Sequence, residues 1–212
     1  MTLARGAGRR YSGLDAGQRA VARRTAILAA ALELFGAKGY AATSVKQICA
    51  EAELTERYFY ESFKDRHACL VALYAEVVDT VRGATTGALE SAGPSPRAMA
   101  DAGLAAFVEC LTEDARRARI VLIEVVGVSA ELEEARLGVL REFAELVTAV
   151  WLPELRPDVS AEFASLTAVA LVGAVNHLLV DWLLGGRRQR VETLVEVCAT
   201  LFEAAQDRLS RS

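Results

Sequence analysis

Apolar side chains in this chain recur at helical spacing along most of its length. Between about Asp15 and Lys38, Ile27, Ala31, Leu34 and Phe35 fall at i, i+4, i+7 and i+8, which is one face of a helix. Gly39 directly after Lys38 is a stop signal. Thr43 and Ser44 are both helix-capping residue types, and Ser44 with Gln47 has capping-box spacing. Val45, Ile48 and Ala52 give the short helix that follows its inner face. After Leu54, Thr55 supplies another cap and opens the segment TERYFYESF, with Phe59 and Phe63 four apart on the inner side. Two short helices separated by a turn of about three residues form a helix-turn-helix pattern. A long helix is predicted over 66–91, broken by Gly93-Pro94-Ser95-Pro96, and further helices over 96–112, 114–128, 131–152, 159–185 and 189–210. No segment alternates with period two for long enough to predict a strand. The fold class is therefore all-α, with about nine helices.

Composition agrees with a globular helical protein. Hydrophobic residues make up 53% and charged residues 25% of the 212, and only 4 are proline, so a buried core is affordable and helix is seldom interrupted. The net charge of −4 argues against nucleic acid until its distribution is considered. Residues 1–66 hold 11 Lys and Arg against 7 Asp and Glu, whereas the rest hold 13 against 21. A basic head on an acidic body can face phosphates while the body stays in solution. Arg5, Arg9 and Arg10 make a basic arm over residues 1–14, and Arg19, Arg23 and Arg24 extend the basic face of the first helix.

Other classes are less well supported. Cys49, Cys69, Cys110 and Cys198 are far apart among apolar neighbours, without zinc or disulfide spacing, and read as small core residues in a reducing compartment. No metal site and no cofactor is expected. The opening MTLARGAGRRYSG has arginines but no apolar stretch behind them, so a cytoplasmic chain without a signal peptide is expected. The apolar window Leu166 to Leu184 contains Asn176, His177 and Asp181, which are costly in lipid, so a buried core helix and no membrane partner are expected there. With only His67 and His177 in the chain, no catalytic constellation is visible. Glu124 and His177 are the one conceivable acid–base pair, and no enzyme is expected.

Residues 24–70 read RTAILAAALELFGAKGYAATSVKQICAEAELTERYFYESFKDRHACL. This segment resembles the N-terminal domain of the TetR/AcrR family of transcriptional regulators. The resemblance is carried by Ile27-Leu28, Ala31, Leu34-Phe35, Gly39-Tyr40, Thr43-Ser44-Val45, Ile48, Ala52, Tyr60, Phe63 and Leu70. It implies a three-helix DNA-binding domain over 15–66 behind the arm of 1–14, and a ligand-binding and dimerisation domain over 67–212. It also implies a homodimer made by the last two long helices, a double-stranded DNA operator and a small-molecule effector. Two positions depart from the family pattern. Glu53 stands where the family usually has glycine in the turn, which would cost about 1 kcal/mol if that residue is left-handed. The run Tyr60-Glu61-Ser62-Phe63 places a carboxylate where an aromatic often faces phosphate.

Within that frame the outward side chains of the recognition helix are Thr55, Glu56, Arg57, Tyr58 and Tyr60. Arg57 is the best base reader, because its fork can bind guanine O6 and N7 together. Glu56 can accept from cytosine N4 or simply favour its helix N-terminus. Tyr58 suits a thymine methyl or a sugar, and Tyr60 matches the family's phosphate-bonding tyrosine. Thr43 and Ser44, with the free N–H groups of the helix start, make a phosphate site to which Lys46 adds. Arg66 matches the family's basic phosphate contact, and Lys64 is a further candidate. In the body, the effector candidates are Phe107, Cys110, Glu124, Phe143, Val147, Trp151, Asn176, His177 and Trp182. Leu166, Val169, Ala170, Gly173 and Ala174, with Leu194, Val197, Cys198, Leu201 and Phe202, form the stripes expected at the dimer interface, although an internal core would show the same stripes. The expected function is a repressor released from a palindromic operator by a small lipophilic ligand, with helix 66–91 passing on the signal. An activator of the same fold and a helical interaction module without DNA binding remain alternatives.

Overall fold

A computed structural model describes residues 15–210, so the arginines at positions 5, 9 and 10 lie outside the described residues. Nine α-helices carry the described chain: α1 (Ala16–Lys38), α2 (Val45–Glu51), α3 (Glu56–Ser62), α4 (Arg66–Ser91), α5 (Pro96–Glu113), α6 (Ala115–Arg119), α7 (Ala130–Trp151), α8 (Ala161–Leu184) and α9 (Val191–Leu209). Each predicted helix is present, and most ends fall within two residues of the prediction. The exception is the segment predicted as one helix over 114–128. It splits into the short α6, a single turn of π-helix over Ile120–Glu124 and a turn at 125–128.

The helix starts follow from local chemistry. Asp15 and Ser44 each cap a helix with a full capping box, their partners being Gln18 and Gln47. Ser95 caps α5 with Pro96 in its first turn, where a missing N–H costs nothing. Thr55 occupies the N-cap of α3, but its side chain makes no capping hydrogen bond. Glu53 is left-handed, with φ of 54°, so the turn between α2 and α3 does carry the strain expected of a glutamate at that position.

Two cores result. The first gathers Ile27, Leu28, Ala31, Leu34 and Phe35 of α1 with Ile48, Phe59 and Phe63, and closes on Leu70, Leu73 and Val77 of α4. It also takes in Ile120, Val125 and Leu132, so the N-terminal helices are cemented to the body by the π-turn and the start of α7. The second core lies among α4, α5, α7, α8 and α9. Cys49, Cys69 and Cys198 are buried free thiols. Burial pushes Cys69 up to about 12 and Cys198 up to about 11, which keeps both protonated and unreactive.

The helix α8 is not the buried core helix that its composition predicts. Among the described residues it is the one helix long and apolar enough to cross a membrane. Only Ala164, Ala168, Val175, Leu179 and Trp182 are buried. Leu166 and Val169 are 62% and 49% exposed, and Ala170, Gly173 and Ala174 are exposed beside them. The stripe of α9 divides in two. Leu194, Cys198 and Phe202 point into the second core, while Val197 and Leu201 are exposed. The same residues cannot serve both purposes, so the apolar surplus of these helices is displayed outward.

Candidate DNA-binding face and effector cavity

The face of α3 is built from the inside out. Phe59 is fully buried, with the Phe63 ring at 5.6 Å, and this fixes the rotation of the helix. Thr55, Glu56, Arg57 and Tyr60 are then left exposed, and Tyr58 is half-buried. Lys46 and Lys64 are also exposed. The Arg57 side chain is 84% exposed, but its Nε donates to Glu61 Oε1 at 3.1 Å. Glu61 also receives Arg23 at 3.5 Å. Glu61 is thus the counter-ion of the expected base reader, a role missed in the sequence although the i, i+4 spacing of Arg57 and Glu61 signals it.

Four arginine or hydroxyl expectations need correction. Arg66 does not extend freely toward phosphate. Its guanidinium lies 4.3 Å from the centre of the Tyr40 ring and donates to the Thr43 carbonyl, pinning the start of α4 to the loop before α2. Arg23 and Arg24 do not simply widen the basic face of α1. They cover the Tyr58 ring at 4.4 Å and the Phe63 ring at 4.3 Å, clamping α1 to α3. Thr43 is buried, and its hydroxyl donates to the Gly39 carbonyl at 2.8 Å, so it cannot reach a phosphate. The Ser44 hydroxyl is exposed but committed to Gln47 in the capping box, which leaves backbone N–H groups as the donors at that helix start.

The body contains a cavity bordered by α4, α5, α7, α8 and α9 and by the π-turn. It offers about 90 Å³ to the centres of water-sized molecules, several times the space one water requires. Of the nine expected effector residues, Phe107, Phe143, Val147, Trp151 and Asn176 border it. Phe107 and Phe143 meet edge to face at 4.9 Å. Cys110 and Trp182 do not border it. Trp182 is buried with its indole N–H donating to the Gln189 carbonyl, so it closes the end of α8. His177 is exposed on α8.

Glu124 is displaced from the cavity by the π-turn, and its location is more informative than a cavity wall. Its carboxylate, 10% exposed, accepts from the Tyr40 backbone N–H at 2.6 Å and pairs with Arg119 at 2.8 Å. Gly39, at φ of 89°, brings the backbone against that carboxylate in a conformation that side chains rarely adopt. Glu124 and His177 therefore form no acid–base pair. Nearby, Arg116 pairs with Glu33 of α1, and Gly36 lets α6 approach so closely that a methyl group there would overlap the Arg116 side chain. His67 Nε2 lies 2.9 Å from Ser129 Oγ. The segment 114–129 thus joins the N-terminal helices to the body, while Val121 and Leu122 within it line the cavity.

Sequence reasoning also missed Tyr74, Thr85 and Arg136 as cavity residues. The signal for Tyr74 and Thr85 is the stripe Tyr74, Val78, Val81, Thr85 and Leu89 on α4, spaced i, i+4, i+7, i+11 and i+15; Arg136 on α7 carries no such signal. No group of three or more His, Cys, Asp and Glu able to hold a metal ion occurs among the described residues.

Comparison with known proteins follows this geometry. Residues 27–73 match the family profile "Bacterial regulatory proteins, tetR family". No curated protein matches the chain's sequence closely enough to count as a relative. Among solved structures, the chain is similar to NalD from Pseudomonas aeruginosa, the secondary repressor of the MexAB-OprM multidrug efflux pump. The two share 25% identity over 92% of this chain and 99% of that one, with a TM-score of 0.69. It is similar to FadR from Bacillus subtilis, solved in complex with stearoyl-CoA, at 15% identity over 84% and 96% of the two chains and a TM-score of 0.72. It is similar again to a TetR-like regulator from Rhodococcus sp. RHA1, at 20% identity over 85% and 93%, with a TM-score of 0.66. The helix-turn-helix segment is thus matched in sequence by the tetR-family profile, and the chain as a whole shares the helical fold of TetR-type regulators.

Proposed function

We propose that the protein is a cytoplasmic repressor that binds a palindromic operator as a homodimer and is released by a lipophilic effector held in the cavity of its body. Residues 15–66 form the DNA-binding unit in this reading, and 67–212 the sensing and dimerisation unit. The observation that carries it is the continuity between the two sites. Val121 and Leu122 touch the cavity, and within the same π-turn Glu124 holds the Tyr40 backbone of the helix-turn-helix domain. Single π-turns inside helices recur at functional sites. An effector that favours one register shifts Glu124, and with it the tilt of α1 to α3. It does so only to the extent of its differential affinity for the two arrangements. This adds a second route to the expected one through α4, which contacts both cores.

The exposed apolar faces of α8 and α9 support the dimer. Leu166 and Val169 on α8 and Val197 and Leu201 on α9 are exposed, and α8 adds the exposed small residues Ala170, Gly173 and Ala174, which permit close helix packing. Two copies set two α3 helices at a fixed spacing, which is how one small module gains operator affinity. Arg57 supplies base readout once it leaves Glu61. Tyr58, Tyr60, Thr55, Lys46 and Lys64 supply further contacts to backbone or base, and Glu56 either reads cytosine or steadies its helix.

The test is selection from randomised duplex DNA at two salt concentrations, with the bound fraction sequenced. A palindromic motif and a steep salt slope are expected. Arg57→Ala should relax one position of each half-site at a cost of about 1–3 kcal/mol. Absence of any enriched motif at either salt would sink the operator reading.

A further inference from the structure

Glu61 stands between two arginines on the outer side of α3. Its Oε1 accepts from Arg57 Nε at 3.1 Å within the same helix, and its Oε2 accepts from Arg23 Nη2 at 3.5 Å across from α1. The two cations are held differently. The Arg57 side chain is 84% exposed, whereas that of Arg23 is 25% exposed and its guanidinium lies 4.4 Å from the centre of the Tyr58 ring. Arg57 gives up one exposed i, i+4 ion pair on leaving Glu61, which is a small loss. Arg23 would give up an ion pair and a cation–π contact together. Arg57 is therefore the mobile partner of Glu61 and Arg23 the fixed one.

The difference matters when α3 meets DNA. Paired one turn along its own helix, the Arg57 guanidinium is directed along α3, and reaching out to a base edge withdraws it from Glu61. A carboxylate left alone there would face the phosphates with its charge unbalanced, and like charges brought together oppose binding. Arg23 prevents this. Its 3.5 Å contact is longer than the about 2.7–2.9 Å of a close charge-assisted hydrogen bond, so it can shorten as Arg57 withdraws. Glu61 then keeps a counter-ion in both states of Arg57.

We propose that Arg23 is a positioning residue for operator readout: as the second counter-ion of Glu61, it frees Arg57 to read its base pair. This rests on α3 being the reading helix and Arg57 its base reader. Arg23 acts through Glu61 and needs no contact with a base.

The experiment uses the full-length protein and the operator motif selected from randomised duplex DNA. Affinity is measured for that operator and for a copy in which the base pair relaxed by Arg57→Ala is replaced in both half-sites. The ratio of the two affinities reports Arg57 readout and cancels any loss of folded protein. Arg23→Gln should lower the ratio by about two- to fivefold, the range spanned by ion pairs of this exposure, because Glu61 then retains Arg57. Arg23→Lys keeps the charge and should hold the ratio near that of the unaltered protein. Glu61→Gln alone should leave the ratio within about twofold, since only an exposed pair is lost. Added to Arg23→Gln, it should restore the ratio. Such non-additivity does not arise if Arg23 merely packs on Tyr58. An unchanged ratio in Arg23→Gln, an equal fall in Arg23→Lys, or a fall that Glu61→Gln does not restore would overturn the role of Arg23 while leaving α3 as the reading helix. If no motif is selected, or Arg57→Ala relaxes no base pair, the reading of α3 itself falls and this inference with it.

Discussion

The N-terminal helices and the body of this protein are packed to different standards. Around α3, Phe59 and Ile27 are fully buried, and three guanidinium groups sit over aromatic rings at 4.3–4.4 Å. The body instead contains a cavity bordered by Phe107, Phe143 and Trp151, and the Tyr74 hydroxyl and Trp151 N–H have no partner among the described residues. A reading head must hold its side chains in one geometry before it meets DNA, and close packing with cation–π clamps achieves this. A cavity leaves room for a ligand, and a bound ligand shifts the balance between conformers by its differential affinity for them. The two regions meet at the π-turn over Ile120–Glu124, where Glu124 accepts from the Tyr40 N–H.

The same truncation in each region tests that contrast, and its effect is the largest expected. Phe59→Ala should destabilise the protein by about 4 kcal/mol, whereas Phe143→Ala, made beside existing space, should cost about half as much. Urea unfolding of the two variants measures the difference, and equal costs would mean that the body is as tightly filled as the head. The joint between the regions comes next. Glu124→Ala removes the acceptor for the Tyr40 N–H and the partner of Arg119, and should cost about 2 kcal/mol. The exchange rate of the Tyr40 amide should rise with it. An amide that exchanges as slowly as before would show that Glu124 does not hold the two regions together. The smallest effect lies within the head. Glu53→Gly relieves a left-handed glutamate and should raise stability by about 1 kcal/mol, a gain of roughly 2–4 °C in Tm. A lower Tm would mean that the Glu53 side chain contributes more than its backbone costs.

Much of this was legible in the sequence because helices are local objects. The stripe of Ile27, Ala31, Leu34 and Phe35, the capping box of Ser44 and Gln47, and the break at Gly93 to Pro96 all act within a few residues of themselves. The recognition helix was legible for the same reason, since burying Phe59 and Phe63 fixes which side chains remain outside. Glu124 shows where such reasoning stops. In the run IVLIEVVGV it is a polar residue among apolar ones, and it was read as a ligand anchor. Its partner, the Tyr40 N–H, lies 84 positions away in the chain, and no local pattern encodes that meeting.

The sequence by itself determined the helices, their order, the exposed face of α3 and the family of the head, because each depends on spacing and residue type over short stretches. Tertiary structure alone decided which stripe of α8 and α9 turns inward, which arginines clamp aromatic rings, and where the cavity lies. These depend on which surfaces are left over after distant helices have packed, and only the packed chain contains that information.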